Sequence, residues 1–156
     1  MIRRQTCLII WKSGVIPIGI NVYVTFNGEC RQAAEFYADV FQTEKPEFMT
    51  FGDSPQNPDY PLPDAAKDLI MHTRLSIKND VIMFSDTFPG SPVTAGNNIS
   101  LAYVSEDTDE LTAIFEKLKQ QGDVSMELQE TFFSKCYGKV RDQFGIEWQV
   151  SYEKSL

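Results

Sequence analysis

The chain contains one histidine, His72, the side chain whose ordinary pKa permits proton transfer near neutrality. His72 is the candidate catalytic residue, as a general base or as a donor that orients a ligand. The plainer reading is a strand histidine bonded to a neighbour. Asp86 ends an apolar run, where an acid either caps a turn or offers a carboxylate to a cationic ligand. Glu147 and Gln149 alternate with Ile146, Trp148 and Val150, so they share one face of a strand. Either face can line a cavity. Tyr103, Phe132, Phe133 and Trp148 supply flat apolar surfaces that wall a ligand or fill a core. The candidate ligand-binding set is therefore His72, Asp86, Tyr103, Phe132, Phe133, Glu147, Trp148 and Gln149.

Other chemistries find no support. No Gly-x-Ser-x-Gly elbow precedes a helix, and there is no Walker loop and no Gly-x-Gly-x-x-Gly, so nucleophilic hydrolysis and nucleotide binding lack their usual parts. The three cysteines, Cys7, Cys30 and Cys136, are odd in number, widely spaced and without a Cys-x-x-Cys pair. They read as small buried hydrophobes in a reducing compartment. A formal net charge of −8 repels phosphate backbones and argues against a nucleic-acid partner. It suits a neutral or cationic small molecule.

A cytoplasmic location is expected. Residues 1–20 open with Arg3-Arg4, but Lys12, Ser13 and Gly14 interrupt the apolar stretches. They form neither a membrane span of about 20 residues nor a signal peptide. Residues 1–18 read as an extension ahead of the domain, an added edge strand being one form open to it.

The elements that must position the candidates come in two copies. Ile20–Phe26 alternates as a strand, Asn27-Gly28 breaks it, and a helix follows at about Cys30–Phe41. Ile99–Val104 and a helix at about Asp109–Gln121, stopped by Gly122, repeat the unit. At an offset of 78, Phe26 maps to Val104, Ala33 to Leu111, Tyr37 to Phe115 and Val40 to Leu118. Two hairpins follow, Met71–Ile77 with Val81–Asp86 and Cys136–Asp142 with Ile146–Ser151. Matching the turns Lys78-Asn79-Asp80 and Gln143-Phe144-Gly145 gives an offset of 65, which maps His72 to Tyr137, Met83 to Trp148 and Phe84 to Gln149. The 13-residue difference falls in Asp53–Ala65, a loop rich in Pro, Asp and Asn and a candidate flap. Short second strands are expected at about Lys45–Phe51 and Asp123–Gln129. Each half then reads strand, helix, three strands, and neither half can bury both faces of its sheet alone. The fold class is α+β: tandem βαβββ modules forming a cupped, mixed or antiparallel sheet with helices outside. The modules are about 19–88 and 97–153 of one domain over 19–156.

Tandem βαβββ modules are what the vicinal-oxygen-chelate superfamily is built from, and the chain resembles its PhnB-like branch. The residues that carry the resemblance run from Phe26-Asn27-Gly28 through Ala33-Ala34-Glu35-Phe36-Tyr37, Val40-Phe41, Met71-His72 and Phe84-Ser85-Asp86. They continue through Gly122-Asp123, Met126, Glu130–Phe133 and Tyr137-Gly138 to Asp142–Gln149, and the last string is the most specific. The resemblance implies a homodimer and a cupped cavity that takes a small organic ligand. Relatives often carry a methyltransferase label, but a βαβββ duplication is not an adenosyl-methionine fold.

Metal-dependent members of the superfamily, such as glyoxalases and extradiol dioxygenases, hold a divalent ion with His, Glu or Gln from the first and last strands, leaving positions open to a substrate with adjacent oxygens. In the resemblance the last-strand ligand falls on Gln149 and its first-half counterpart on Phe84. The first-strand positions hold Asn21, Val22 and Tyr23, then Ile99, Ser100 and Leu101, none a His, Glu or Asp. The expected cofactor set is therefore empty and the metal site degenerate. A small-molecule binder, of the sequestering kind found among drug-resistance relatives, is the first expectation. A divalent-metal isomerase, dioxygenase or transferase is the alternative, and a dimeric scaffold without ligand the third.

Overall fold

The computed structural model describes residues 18–154, and the extension expected at residues 1–18, with Cys7, lies almost wholly outside them. The elements are β1 (Val22–Phe26), α1 (Cys30–Val40), β2 (Met49–Thr50), β3 (Ile70–Ile77), β4 (Asp80–Asp86), β5 (Leu101–Ser105), α2 (Thr108–Leu118), β6 (Asp123–Gln129), β7 (Tyr137–Arg141) and β8 (Glu147–Tyr152). They form two four-stranded sheets of identical topology, β1-β4-β3-β2 and β5-β8-β7-β6. β1 runs parallel to β4 and β5 parallel to β8, and the other pairs are antiparallel. The fold is α+β and duplicated, as the repeat requires.

Each helix covers one face of its own sheet. α1 buries Ala33, Ala34 and Tyr37, and α2 buries Leu111, Ile114, Phe115 and Leu118, spacings that put these groups on one stripe. The core takes residues from both halves. The Tyr37 ring stacks on Phe84 at 5.6 Å and tilts against Trp148 at the same distance. Removing a ring of this size from water contributes about 2–3 kcal/mol. Among the described residues the opposite face of each sheet carries no helix.

The helix starts differ. Asp107 caps α2 by accepting from the Asp109 and Glu110 amides. α1 has no side-chain cap of its own. Gly28, at φ +96°, turns the chain so that Asp86 Oδ1 accepts from the Gly28 and Cys30 amides at 2.9 Å each.

Strand pairing corrects the sequence alignment of the halves by one residue. Ile77 pairs with Asp80, so the first hairpin turns on two residues, Lys78 and Asn79. In the second, the Asp142 amide donates to the Ile146 carbonyl across three residues, with Gly145 at φ +83° in the left-handed position that a three-residue turn needs. Thr73 faces Phe84 while Gly138 faces Val150. His72 still corresponds to Tyr137, but Phe84 corresponds to Val150, Ile82 to Trp148 and Met83 to Gln149. β1 and β5 follow: Phe26 corresponds to Ser105, and Val104 is 44% exposed on the outer face.

Two loops differ from expectation in length or form. The strand expected over Lys45–Phe51 shrinks to Met49–Thr50, because Pro46 has no N–H for a ladder. The inserted segment Asp53–Ala65 holds a bridge between Asn57 and Tyr60 and leads into a 3-10 turn, Asp64–Ala66. Among the described residues no helix is long and apolar enough to cross a membrane.

Candidate functional site

Alternation along β7 and β8 sorts the candidates. Gly138, Val140, Trp148 and Val150 face α2, where Trp148 and Val150 are buried. Tyr137, Lys139, Glu147 and Gln149 take the other face. There Tyr137 Oη donates to Gln149 Oε1 at 2.7 Å, and Gln149 Nε2 donates to Ser100 Oγ. Phe133 packs edge-on against Tyr137 at 5.0 Å, and Phe132 edge-on against Phe133 at 5.0 Å. Phe132 is fully exposed and Phe133 58% exposed. Ser100, Gln149, Tyr137, Phe133 and Phe132 thus form one patch: a neutral hydrogen-bonded row with an aromatic wall beside it. Such a row orients hydroxyl, carbonyl or amine groups of a ligand while the rings take its apolar part.

Three of the sequence candidates, Phe132, Phe133 and Gln149, meet in this patch. Glu147 shares the face, half-buried and 3.7 Å from Arg141. His72 stands on the equivalent face of the first sheet, half-buried, its Nδ1 3.5 Å from Tyr23 Oη and its ring 5.9 Å from the Tyr23 ring. Burial, and then the Arg74 charge, hold its pKa below 6.5, so His72 is neutral at physiological pH, able to accept a proton or a hydrogen bond.

The remaining three candidates face elsewhere. Asp86 is buried, and besides the two amides of α1 it accepts from the Ile70 amide at 2.8 Å through Oδ2, so its oxygens are engaged in holding the fold together. Trp148 is 3% exposed, and its Nε1 donates to Asp142 Oδ2 at 2.7 Å. Tyr103 lies on the helix side of β5, its ring 5.2 Å from Phe41, and its Oη donates to Glu110 at 2.8 Å. Tyr137, Ser100 and Tyr23 belong to these faces although none stood out as a binding residue in sequence. The usable signal for Tyr137 was its position opposite Ser151, two residues from Gln149, where long side chains meet diagonally across a ladder.

The donors bonded to one another at Gln149 are neutral. The last-strand position is Gln149, and with the corrected register its first-half counterpart is Met83. Around Gln149 stand hydroxyls already bonded to it, and His72 is the imidazole of the other sheet. Among the described residues no group of three or more His, Cys, Asp or Glu side chains is arranged to hold a metal, whereas a hard or borderline cation needs several anionic or imidazole ligands converging on it.

Duplicated βαβββ modules with parallel first and last strands define the glyoxalase-superfamily fold, and that is the class of this chain. Residues 19–151 match the family described as 3-demethylubiquinone-9 3-methyltransferase, and the chain belongs to that family. The crystal structure of protein PA1353 from Pseudomonas aeruginosa is 32% identical with a TM-score of 0.78, covering 89% of this chain and 100% of that one. Protein YjdN of Escherichia coli (strain K12) is 28% identical over 144 residues, 86% of this chain and 95% of that protein. A structure described as "Putative 3-demethylubiquinone-9 3-methyltransferase, PhnB protein", from Bacillus cereus, is 22% identical with a TM-score of 0.67, covering 86% of this chain and 98% of that one. The fold is shared with a glyoxalase/bleomycin resistance protein from Albidiferax ferrireducens T118, at 13% identity and a TM-score of 0.57 over 86% of this chain and 97% of that one.

Proposed function

We propose that this chain is a small-molecule-binding member of the PhnB-like, glyoxalase-superfamily group that works without a bound divalent ion. One observation carries the reading. At the last-strand position from which metal-dependent relatives ligate their ion, this chain has the Gln149 amide, its two ends already engaged by Tyr137 Oη and Ser100 Oγ. A neutral amide held by two hydroxyls recognises polar groups of an organic molecule and is a poor partner for a divalent cation. Phe132 and Phe133 beside it add apolar contact, and the net charge of −8 favours a cationic or neutral ligand over an anionic one. Pairing of two chains in a homodimer would cover the open sheet faces and turn the patch into a cavity. Sequestration of the ligand fits this arrangement.

The test is a screen of cationic and neutral organic compounds against full-length protein, read by the Gln149 side-chain amide resonances and by product analysis. The reading expects saturable shifts at Gln149 with no turnover, weakened by Gln149→Ala. Turnover that requires added metal and stops on chelation would overturn it, and put a metal-dependent enzyme acting on vicinal oxygens in its place.

A further inference from the structure

Among the described residues, Lys139 is a cation without a counter-ion on the Gln149 face. It stands directly opposite Gln149 in the β7–β8 ladder, and residues paired in this way share a face. Lys139 is half-buried, and its Nζ lies 6.0 Å from the centre of the Tyr137 ring. Among the described residues that nitrogen makes no hydrogen bond and no ion pair. The acids that flank it on β8 and β6 face other cations. Glu147 lies 3.7 Å from Arg141. Glu127, next to the Met126 that pairs with Lys139, lies 3.6 Å from Lys119. Around the Phe132–Phe133 wall stand Glu130, Lys135, Glu153 and Lys154, two of each sign, which add no net charge. Residues 1–17 and 155–156 contain no Asp or Glu, so no side-chain carboxylate outside the described residues can neutralise Lys139.

The neutral row adds donors. Tyr137 and Ser100 bring one O–H each and Gln149 two N–H. Two of these four protons are spent on the bonds within the row, whichever way the amide is turned. The other two, with the three N–H of Lys139, have no acceptor among the described residues. A carboxylate, with two oxygens and a single negative charge, takes several such donors at once. One lysine balances one negative charge, which favours a carboxylate over a doubly charged phosphate.

The charge of the whole chain sets a second condition. At −8 it disfavours a ligand that is negative overall, so the carboxylate is balanced by a cationic group of the ligand itself. The exposed Phe132 and Phe133 rings offer contact to the apolar part of such a molecule and faces to its cation. We propose that the Gln149 face takes an amino-acid-like zwitterion with an apolar side group, its carboxylate at Lys139 and its apolar part against Phe133 and Phe132. This inference rests on the proposed function and names the class of neutral ligand within it.

The test titrates isotope-labelled full-length protein near neutral pH with three compounds that share a phenyl ring. L-phenylalanine is the zwitterion, phenethylamine lacks the carboxylate and hydrocinnamate lacks the ammonium. Saturable shifts of the Gln149 side-chain amide are expected with L-phenylalanine, and affinities at least about tenfold lower with the other two. Lys139→Met should weaken L-phenylalanine about tenfold or more and leave phenethylamine as it was, while Lys139→Arg keeps the parent's order. If Lys139→Met does not fold, the three compounds on the parent and on Lys139→Arg decide. No saturable shift with L-phenylalanine up to about 10 mM, or L-phenylalanine bound as tightly by Lys139→Met as by the parent, overturns the zwitterion. Phenethylamine or hydrocinnamate bound as tightly as L-phenylalanine overturns it too. None of these results removes the broader reading of a metal-free binding face, which falls only to turnover that requires added metal.

Discussion

Replacing Tyr37 by Phe removes one oxygen from the centre of the molecule and no ring volume. Tyr37 is 1% exposed on α1, and its Oη donates to Asp142 Oδ2 at 2.7 Å, bridging residues 105 positions apart. The same oxygen accepts from Trp148 Nε1 at 2.7 Å, while Asp142 Oδ1 accepts from the Phe144 and Ile146 amides. A buried hydrogen bond to a charged group contributes about 1.5–3 kcal/mol, and the isosteric change leaves no cavity term. Tyr37→Phe should therefore destabilise by about 2 kcal/mol, with Tm lower by roughly 4–8 °C for a chain of this size. Asp142→Ala strands two buried donors and two turn amides, and should cost about 3–5 kcal/mol. In the Asp142→Ala background Tyr37→Phe should cost nothing, a coupling of about 1.5 kcal/mol or more. Urea unfolding followed by far-UV circular dichroism measures all four chains of the cycle. A Tyr37→Phe loss below about 0.5 kcal/mol, or costs that simply add, would refute the claim that this carboxylate joins the two halves.

Other expectations follow from the same geometry. Burial, then the Asp142 charge and hydrogen bond, raise the Tyr37 pKa well above its ordinary value of 10.0. A folded value above the unfolded one gives stability that is complete below about pH 10 and lost as pH rises beyond it, so alkaline unfolding should be less steep in Tyr37→Phe than in the parent. Gly138→Ala places a Cβ 2.8 Å from Phe115 Cε2 and 3.1 Å from Leu128 Cδ2, and should cost about 1–3 kcal/mol, read by the same denaturation. His72 should titrate below 6.5 by nuclear magnetic resonance, and Arg74→Met should move its midpoint up, because the Arg74 charge is one of the two causes that lower it. An unchanged midpoint would assign the shift to burial alone.

The duplicated architecture was legible because alternation and helical spacing survive in both halves: Val22, Val24 and Phe26 point inward, as do Leu101 and Tyr103. β6 falls on the expected bounds. The register of the last strands was not legible, since Lys78-Asn79-Asp80 and Gln143-Phe144-Gly145 look alike as three-residue turns and only pairing shows that Asp80 already belongs to β4. β2 failed where Pro46 outweighed an apolar pattern. At the candidate site, parity placed Glu147 and Gln149 on one face but not on which side of the sheet. The burial of Trp148 under α2 settles that. The structural uses of Asp86 and Asp142 depend on groups far along the chain, the Gly28, Cys30 and Ile70 amides for Asp86 and Tyr37 Oη for Asp142, contacts that no local pattern announces.

The central claim is that the Ser100–Gln149–Tyr137 face works with neutral donors. Its most direct test is the metal content per chain of protein purified without chelator or affinity tag, repeated after incubation with manganese, nickel and zinc. The account predicts well below one tightly held ion per chain in every case, with Gln149→Ala unchanged in metal content. Near-stoichiometric metal that can be removed and restored, and that is lost in Gln149→Ala, would contradict it.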